Sequence, residues 1–171
     1  MKIKSIHTWS ADLGNTKPYT IAFKTIDEVL NAFVEIELEN GTTGMGAGNP
    51  SEYVTGESFE QCKAALQEKN IQFLVGRDIR ELHQLTFEVW QKFPLNPAAR
   101  AAIDIALYDV FTKFLGVPLV KYLGQKIHSL PTSNTIGIKN VEDTLKEAQE
   151  YGERGFTVLK VKLGKRFERG H

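Results

Sequence analysis

Between Thr132 and Lys162 the apolar pattern changes from strand to helix and back to strand within about 30 residues. Thr132 to Ile138 reads as a strand, Asn140 as the cap of a helix running to about Glu153, and Thr157 to Lys162 as a second strand. Strands joined by a helix pair in parallel, because the crossover carries the chain back to start again at the same end of the sheet. The segment therefore opens an α/β unit. Residues 125–171 are too few to close such a fold alone, since a barrel takes about 200 residues or more.

The rest of the chain follows other rules. Ala32, Val34, Ile36 and Leu38 alternate with Phe33, Glu35 and Glu37, the pattern of a half-buried antiparallel strand. Asn40-Gly41 then offers the positive φ angles of a tight hairpin, with Thr42 to Ala47 returning as the partner and Ile3 to Trp9 as a third strand. Helices come next. Ser58 and Gln61 have capping-box spacing and open a helix ending near Asn70, and Asp78 can cap a second carrying Ile79, Leu82, Leu85 and Val89. Asn96 caps a third, with Pro97 in its first turn and Gly116 after its last. Ala102, Ile103, Ala106, Leu107, Val110 and Phe111 share one face of that helix, and Ile105 and Tyr108 make much of the remainder apolar. The expected architecture is an α+β domain over residues 1–124, an antiparallel sheet with helices, followed over 125–171 by the first βαβ of a larger unit.

Charge and composition narrow the function classes. The 21 basic and 21 acidic side chains cancel, which argues against a general nucleic-acid binder. No apolar run approaches the roughly 18 residues of a membrane span, and the first residues lack the apolar core of a signal peptide. Cys62 is the only cysteine, so no disulfide frame or cysteine metal site can form. The expectation is a soluble, cytoplasmic protein that binds neither nucleic acid nor membrane.

The segment Val158-Leu159-Lys160-Val161-Lys162 is the richest in possible chemistry. On a strand, Val158, Lys160 and Lys162 share one face, with the lysines about 7 Å apart. Facing an interior, desolvation and mutual repulsion favour loss of a proton and make a lysine a usable base. At the C-terminal end of a barrel strand, such a base sits where barrel enzymes place their active sites. Spacing alone favours the plainer alternative, an edge strand whose lysines lie in water and resist aggregation.

The order of motifs shifts that balance. Ala101-Ala102-Ile103-Asp104-Ile105-Ala106-Leu107-Tyr108-Asp109, then Gly116-Val117-Pro118-Leu119 and Leu123-Gly124, resemble the end of the capping domain in the enolase superfamily. Lys160-Val161-Lys162 resembles the lysine-x-lysine motif of its muconate-lactonizing subgroup, and the opening strands with the Gly44-Met45-Gly46 hairpin are similar as well. The likeness runs from Met1 to Gly164 and is greatest to dipeptide epimerases. It implies an α+β cap over a modified (β/α) barrel, in which a proton is abstracted α to a carboxylate and Mg²⁺ holds the enediolate; the use of a Lys or His base with Mg²⁺ is a known pattern for this superfamily. Two lysines on opposite faces of the substrate carbon would remove and return the proton, and Lys162 matches one of them. Lys160 matches the position that contacts the substrate carboxylate and helps keep its partner neutral. Thr135 aligns with a substrate-binding residue, and Lys24 falls in a cap segment where relatives carry a basic residue facing the substrate. The resemblance also implies a small-molecule dipeptide substrate and a homo-oligomer.

The departures matter too. The family's three acidic metal ligands and its opposing lysine belong to later strands, beyond residue 171, and the tail Arg166 to His171 does not resemble the family's next helix. The chain by itself is expected to be inactive and to give no thermal shift with Mg²⁺. Ala47-Gly48-Asn49-Pro50 stands where relatives carry an acidic residue, which bears on substrate identity. A cycloisomerase or an acylamino-acid racemase of the same subgroup is the nearest rival. A non-catalytic fragment that self-associates through its unpaired strand edge is the rival from another class. Gly44, Gly46 and Gly48 lack dinucleotide-fingerprint spacing. Asp104 is read as the partner of Arg100 in a helix ion pair, Cys62 as a small hydrophobe, and Trp9 and Trp90 as packing anchors.

Overall fold

The structure, a computed structural model, describes residues 1–15, 19–20, 25–26 and 28–163. It divides into two compact units, Met1–Leu13 with Val29–Gln125, and Gly14–Glu28 with Lys126–His171.

The first unit is built on an antiparallel sheet of three strands. In chain order these are β1 (Ile3–Asp12), β4 (Leu30–Leu38) and β5 (Thr43–Gly48), with β4 in the middle. The alternation of β4 is realised as expected: Ala32, Val34, Ile36 and Leu38 are buried, while Glu37 turns outward and holds Lys4 and Ser5 of the neighbouring strand. The hairpin between β4 and β5 differs in one detail. Gly41 alone takes a positive φ (83°), and its N–H donates to the Leu38 carbonyl at 2.9 Å, so the turn needs one left-handed residue and Asn40 keeps an ordinary backbone.

Helices α1 (Glu52–Thr55), α2 (Phe59–Ala65), α3 (Glu68–Ile71), α4 (Leu82–Lys92), α5 (Pro97–Leu115) and α6 (Leu119–Tyr122) complete this unit. Ser58 and Gln61 form the expected capping box. The helix expected to reach Asn70 is instead divided, because Gln67 takes an extended backbone (φ −57°, ψ 142°). Leu66 and Ile71, five residues apart, would point about 140° apart on one continuous helix. The break lets both bury. Asp78 accepts from Arg80 N at 3.0 Å as predicted, though a 3-10 turn at Ile79–Glu81 precedes α4. Arg80 first, and then the Met1 ammonium, hold the Asp78 carboxyl well below the usual carboxylate range.

Helix α5 lies directly on the sheet. Gly44, Gly46 and Gly48 face it in alternate positions along β5, opposite Val110, Ala102 with Ala106, and Ala98. A Cβ on Gly46 would stand 2.0 Å from the Ala102 carbonyl oxygen, so strand and helix backbones touch with nothing between them. The glycines that carry no phosphate-binding pattern have this packing role.

The start of α5 corrects another expectation. Asn96 occupies the cap position, but its side chain makes no cap hydrogen bond to the helix. The fully buried carboxylate of Glu57 does so, accepting from Ala98 N at 2.6 Å and from Asn96 Nδ2 at 3.2 Å. An anion at a helix start meets unpaired N–H groups and the positive end of the helix dipole. Glu57→Ala is expected to cost about 2–3 kcal/mol, since it leaves that buried donor unpaired. Glu57→Gln, which keeps an acceptor in place, should cost less; urea unfolding of both variants checks this order. Burial and the neighbouring Glu57 also push the Cys62 thiol up to about 12, so this cysteine is an inert core residue as read from sequence.

In the second unit, β2 (Tyr19–Thr20) and β3 (Thr25–Ile26) pair antiparallel. Strand β6 (Ser133–Ile136), helix α7 (Val141–Glu153) and strand β7 (Val158–Val161) form the expected βαβ with parallel strands, each strand shorter than its apolar run suggested. Asn140 caps α7 as predicted, its Oδ1 accepting from Asp143 N at 2.8 Å.

Candidate functional site

Strand register brings three of the four predicted site residues together. Thr135 of β6 lies opposite Lys160 of β7, and Ser133 opposite Val158. Paired residues of a parallel ladder point the same way, so Thr135, Lys160 and Lys162 share one face. On the other face Ile136 is fully buried on the strand against which α7 packs. The two lysines and Thr135 therefore stand on the side away from that packing, which in a closed barrel is the interior. Lys162 lies one residue past the end of β7. Its N–H donates to the Ile136 carbonyl at 3.0 Å, continuing the ladder and fixing its Cα at the C-terminal edge of the sheet. Lys160 is exposed and Lys162 half-buried. Lys24 lies outside the described residues.

Among the described residues no three His, Cys, Asp or Glu side chains converge on a point that could hold a metal ion. These residues do not by themselves fit a divalent cation.

The other candidates are settled by packing. Trp9 is an anchor, stacked on Phe33 across β1 and β4 at 5.3 Å and on His7 of its own strand at 5.4 Å. Trp90 is not, for it is 55% exposed. The Arg100 guanidinium lies 3.6 Å from the centre of its ring, and this contact replaces the predicted ion pair between Arg100 and Asp104. A cation stacked on an indole keeps its charge near water while its plane covers apolar surface. Asp104 is left at the edge of a 550 Å³ groove between α4 and α5, and burial raises its carboxyl above the usual aspartate range.

A carboxyl that holds its proton more tightly when folded adds stability below the unfolded value and loses it as pH rises through the folded one. Asp104→Asn is accordingly expected to raise the melting temperature at pH 7, with the difference from the parent vanishing toward about pH 3. Melts at the two pH values check the sign.

A cap of three antiparallel strands and helices, followed by a parallel βαβ with a lysine pair at its C-terminal edge, defines the N-terminal part of an enolase-superfamily protein. Residues 5–124 match the family model described as "Mandelate racemase / muconate lactonizing enzyme, N-terminal domain", and the chain belongs to that family. It is 50% identical over 163 residues to the L-Lys-D/L-Arg epimerase of Methylococcus capsulatus, which covers 95% of this chain and 46% of the relative. It is 51% identical over 164 residues to the protein of the same name from Desulforapulum autotrophicum, covering 96% and 46%. The crystal structure of the Methylococcus capsulatus dipeptide epimerase complexed with Mg and the dipeptide L-Arg-D-Lys superimposes with a TM-score of 0.93 over 96% of this chain and 46% of that one, at 50% identity. The chain thus spans about half the length of the relatives it matches. No helix among the described residues is long and apolar enough to cross a membrane.

Proposed function

We propose that this sequence supplies the cap and the first two barrel strands of a dipeptide epimerase, with Lys162 as one of its two bases. The observation that carries the reading is the register of β6 and β7, which sets Thr135 beside Lys160 and places Lys162 just beyond them at the C-terminal edge. In this reading the neutral amine of Lys162 takes the proton from the substrate α-carbon on one face. The Lys160 ammonium meets the substrate carboxylate and opposes the negative charge that develops there. Thr135 contributes a hydroxyl to hold the substrate, and Lys24 a cation from the cap. A group on the opposite face must return the proton for the centre to invert, and that group, like the ligands of the Mg²⁺ that such an enzyme uses, is expected beyond residue 171. The short chain alone should therefore be inactive; the family resemblance separately implies that the whole enzyme is a homo-oligomer.

The two relatives at 50% and 51% identity act, by their names, on lysine- and arginine-containing dipeptides, which points to a cationic dipeptide as substrate. The test is a chimera of residues 1–163 with the second half of the Methylococcus capsulatus enzyme, incubated with L-Arg-L-Lys and Mg²⁺ in deuterated water. Deuterium should enter at an α-carbon with change of configuration. A folded chimera that exchanges no α-proton from this or any other dipeptide would refute the proposal; exchange confined to uncharged dipeptides would refute only the choice of substrate.

A further inference from the structure

The lysine pair can serve proton transfer only if the end of β7 is held in register with β6, and two strands alone do this weakly. Behind them lies a cluster that joins both ends of the βαβ. Glu147, on the second turn of α7, accepts from Lys139 Nζ through Oε2 and from the Tyr151 hydroxyl through Oε1 at 2.8 Å. Its side chain is only 15% exposed, although water reaches the pair from the side of Lys139, which is exposed.

The two partners lead in opposite directions. Lys139 stands three residues after Ile136, in the loop that leaves β6, and the Ile136 carbonyl is the acceptor for Lys162 N–H. Tyr151 is buried and packs edge-on against Phe156 at 5.9 Å, with Phe156 N donating to the Tyr151 carbonyl at 3.0 Å. Phe156 lies two residues before β7 begins. One carboxylate therefore ties the exit of β6 to the entry of β7. The Tyr151 phenol is raised above its usual range chiefly by its hydrogen bond to Glu147, in keeping with a close contact to an ionised carboxylate.

We infer that Glu147 is a positioning residue for Lys162. By holding Lys139 and Tyr151 together it fixes the Ile136 carbonyl against the end of β7, and so the point from which the Lys162 side chain departs. The inference rests on the proposed role of Lys162 for its functional meaning, but its test involves no chemistry on a substrate.

The test is amide hydrogen exchange by NMR on the 171-residue protein, comparing Glu147→Gln and Lys139→Met with the parent. Gln keeps an acceptor for Tyr151 and removes the charge that holds Lys139, while Met removes the cation and preserves the length of the side chain. Exchange of the Lys162 amide should rise about tenfold in each variant and no further in the double variant, with the amides of Val34 and Ile36 unchanged. Glu147→Asp, which restores the charge one methylene short, should recover part of the protection. An unchanged Lys162 amide overturns the inference. So does a rise shared equally by all amides of β6 and β7, since that is loss of stability rather than of position. If either variant fails to fold, the other still gives the comparison. Failure here leaves the reading of Lys162 as a base standing, and failure of the chimera to exchange α-protons leaves the amide result unaffected.

Discussion

Gly46→Ala is expected to destabilise the first unit by about 4 kcal/mol, far more than one added methyl group costs at most sites. The added carbon would lie 2.0 Å from the Ala102 carbonyl oxygen and 2.6 Å from Ala106 N, both helix backbone atoms. Neither can turn aside as a side chain can, so α5 must lift from β5. That movement would open the seam along its length, because Gly44 and Gly48 meet the same helix one strand step away on either side, at 2.3 Å from Val110 N and 2.1 Å from Ala98 O for the corresponding carbon atoms. Dispersion falls steeply with a gap of half an ångström, so the loss spreads over every contact of the seam. Urea unfolding followed by tryptophan fluorescence reports the difference. Gly41→Ala provides the contrast: its carbon would meet nothing within 4 Å, and its cost should be confined to the strain of a positive φ, about 1 kcal/mol. Equal costs at the two positions would mean that helix and strand have room to separate.

That seam shows what could be read ahead of the structure and what could not. The period-two run of β4 and the capping pattern at Asn140 are local signals, and the structure reproduces them. The alternate glycines of β5 were visible in sequence, but their partner α5 begins about fifty residues later, so nothing nearby revealed that they admit a helix backbone. Glu57 carries no local signal for the same reason. A cap that comes from 41 positions away in the chain leaves Asn96, the residue with the right local chemistry, looking like the cap. Asp104 and Arg100 failed in the opposite sense: their spacing permits a helix ion pair, and a ring on a neighbouring helix takes the cation instead. The face shared by the two lysines was more legible than the packing of the core. Alternation alone puts Lys160 and Lys162 on one face, and only the register that adds Thr135 had to come from three dimensions. In Glu147 the four-residue step to Tyr151 was open to inspection, whereas the tie to Lys139, across the start of α7, was not.

Lys162→Ala carries the largest expected effect on activity. In the chimera described above, epimerisation should fall by about a thousandfold or more, the range reached when a positioned general base is removed. The pattern of exchange is more informative than the rate. A base on one face of the α-carbon serves one configuration of the substrate, and the group opposite serves the other. Loss of Lys162 should abolish wash-in of deuterium from the epimer whose proton it takes, while the other epimer still exchanges with retention, its proton removed and returned from the same side. Lys160→Ala should act differently. A residue that meets the carboxylate supports both epimers alike, so exchange should weaken from each, with KM raised. The two lysines lie two residues apart on one strand face, with the Lys162 backbone anchored through Ile136 at its C-terminal edge, and the proposed division of labour gives each its own place along the strand. Exchange that persists from both epimers in Lys162→Ala would remove this residue from the reaction. Loss from both with an unchanged melting temperature would make it part of the charge that stabilises the carbanion rather than the base that forms it.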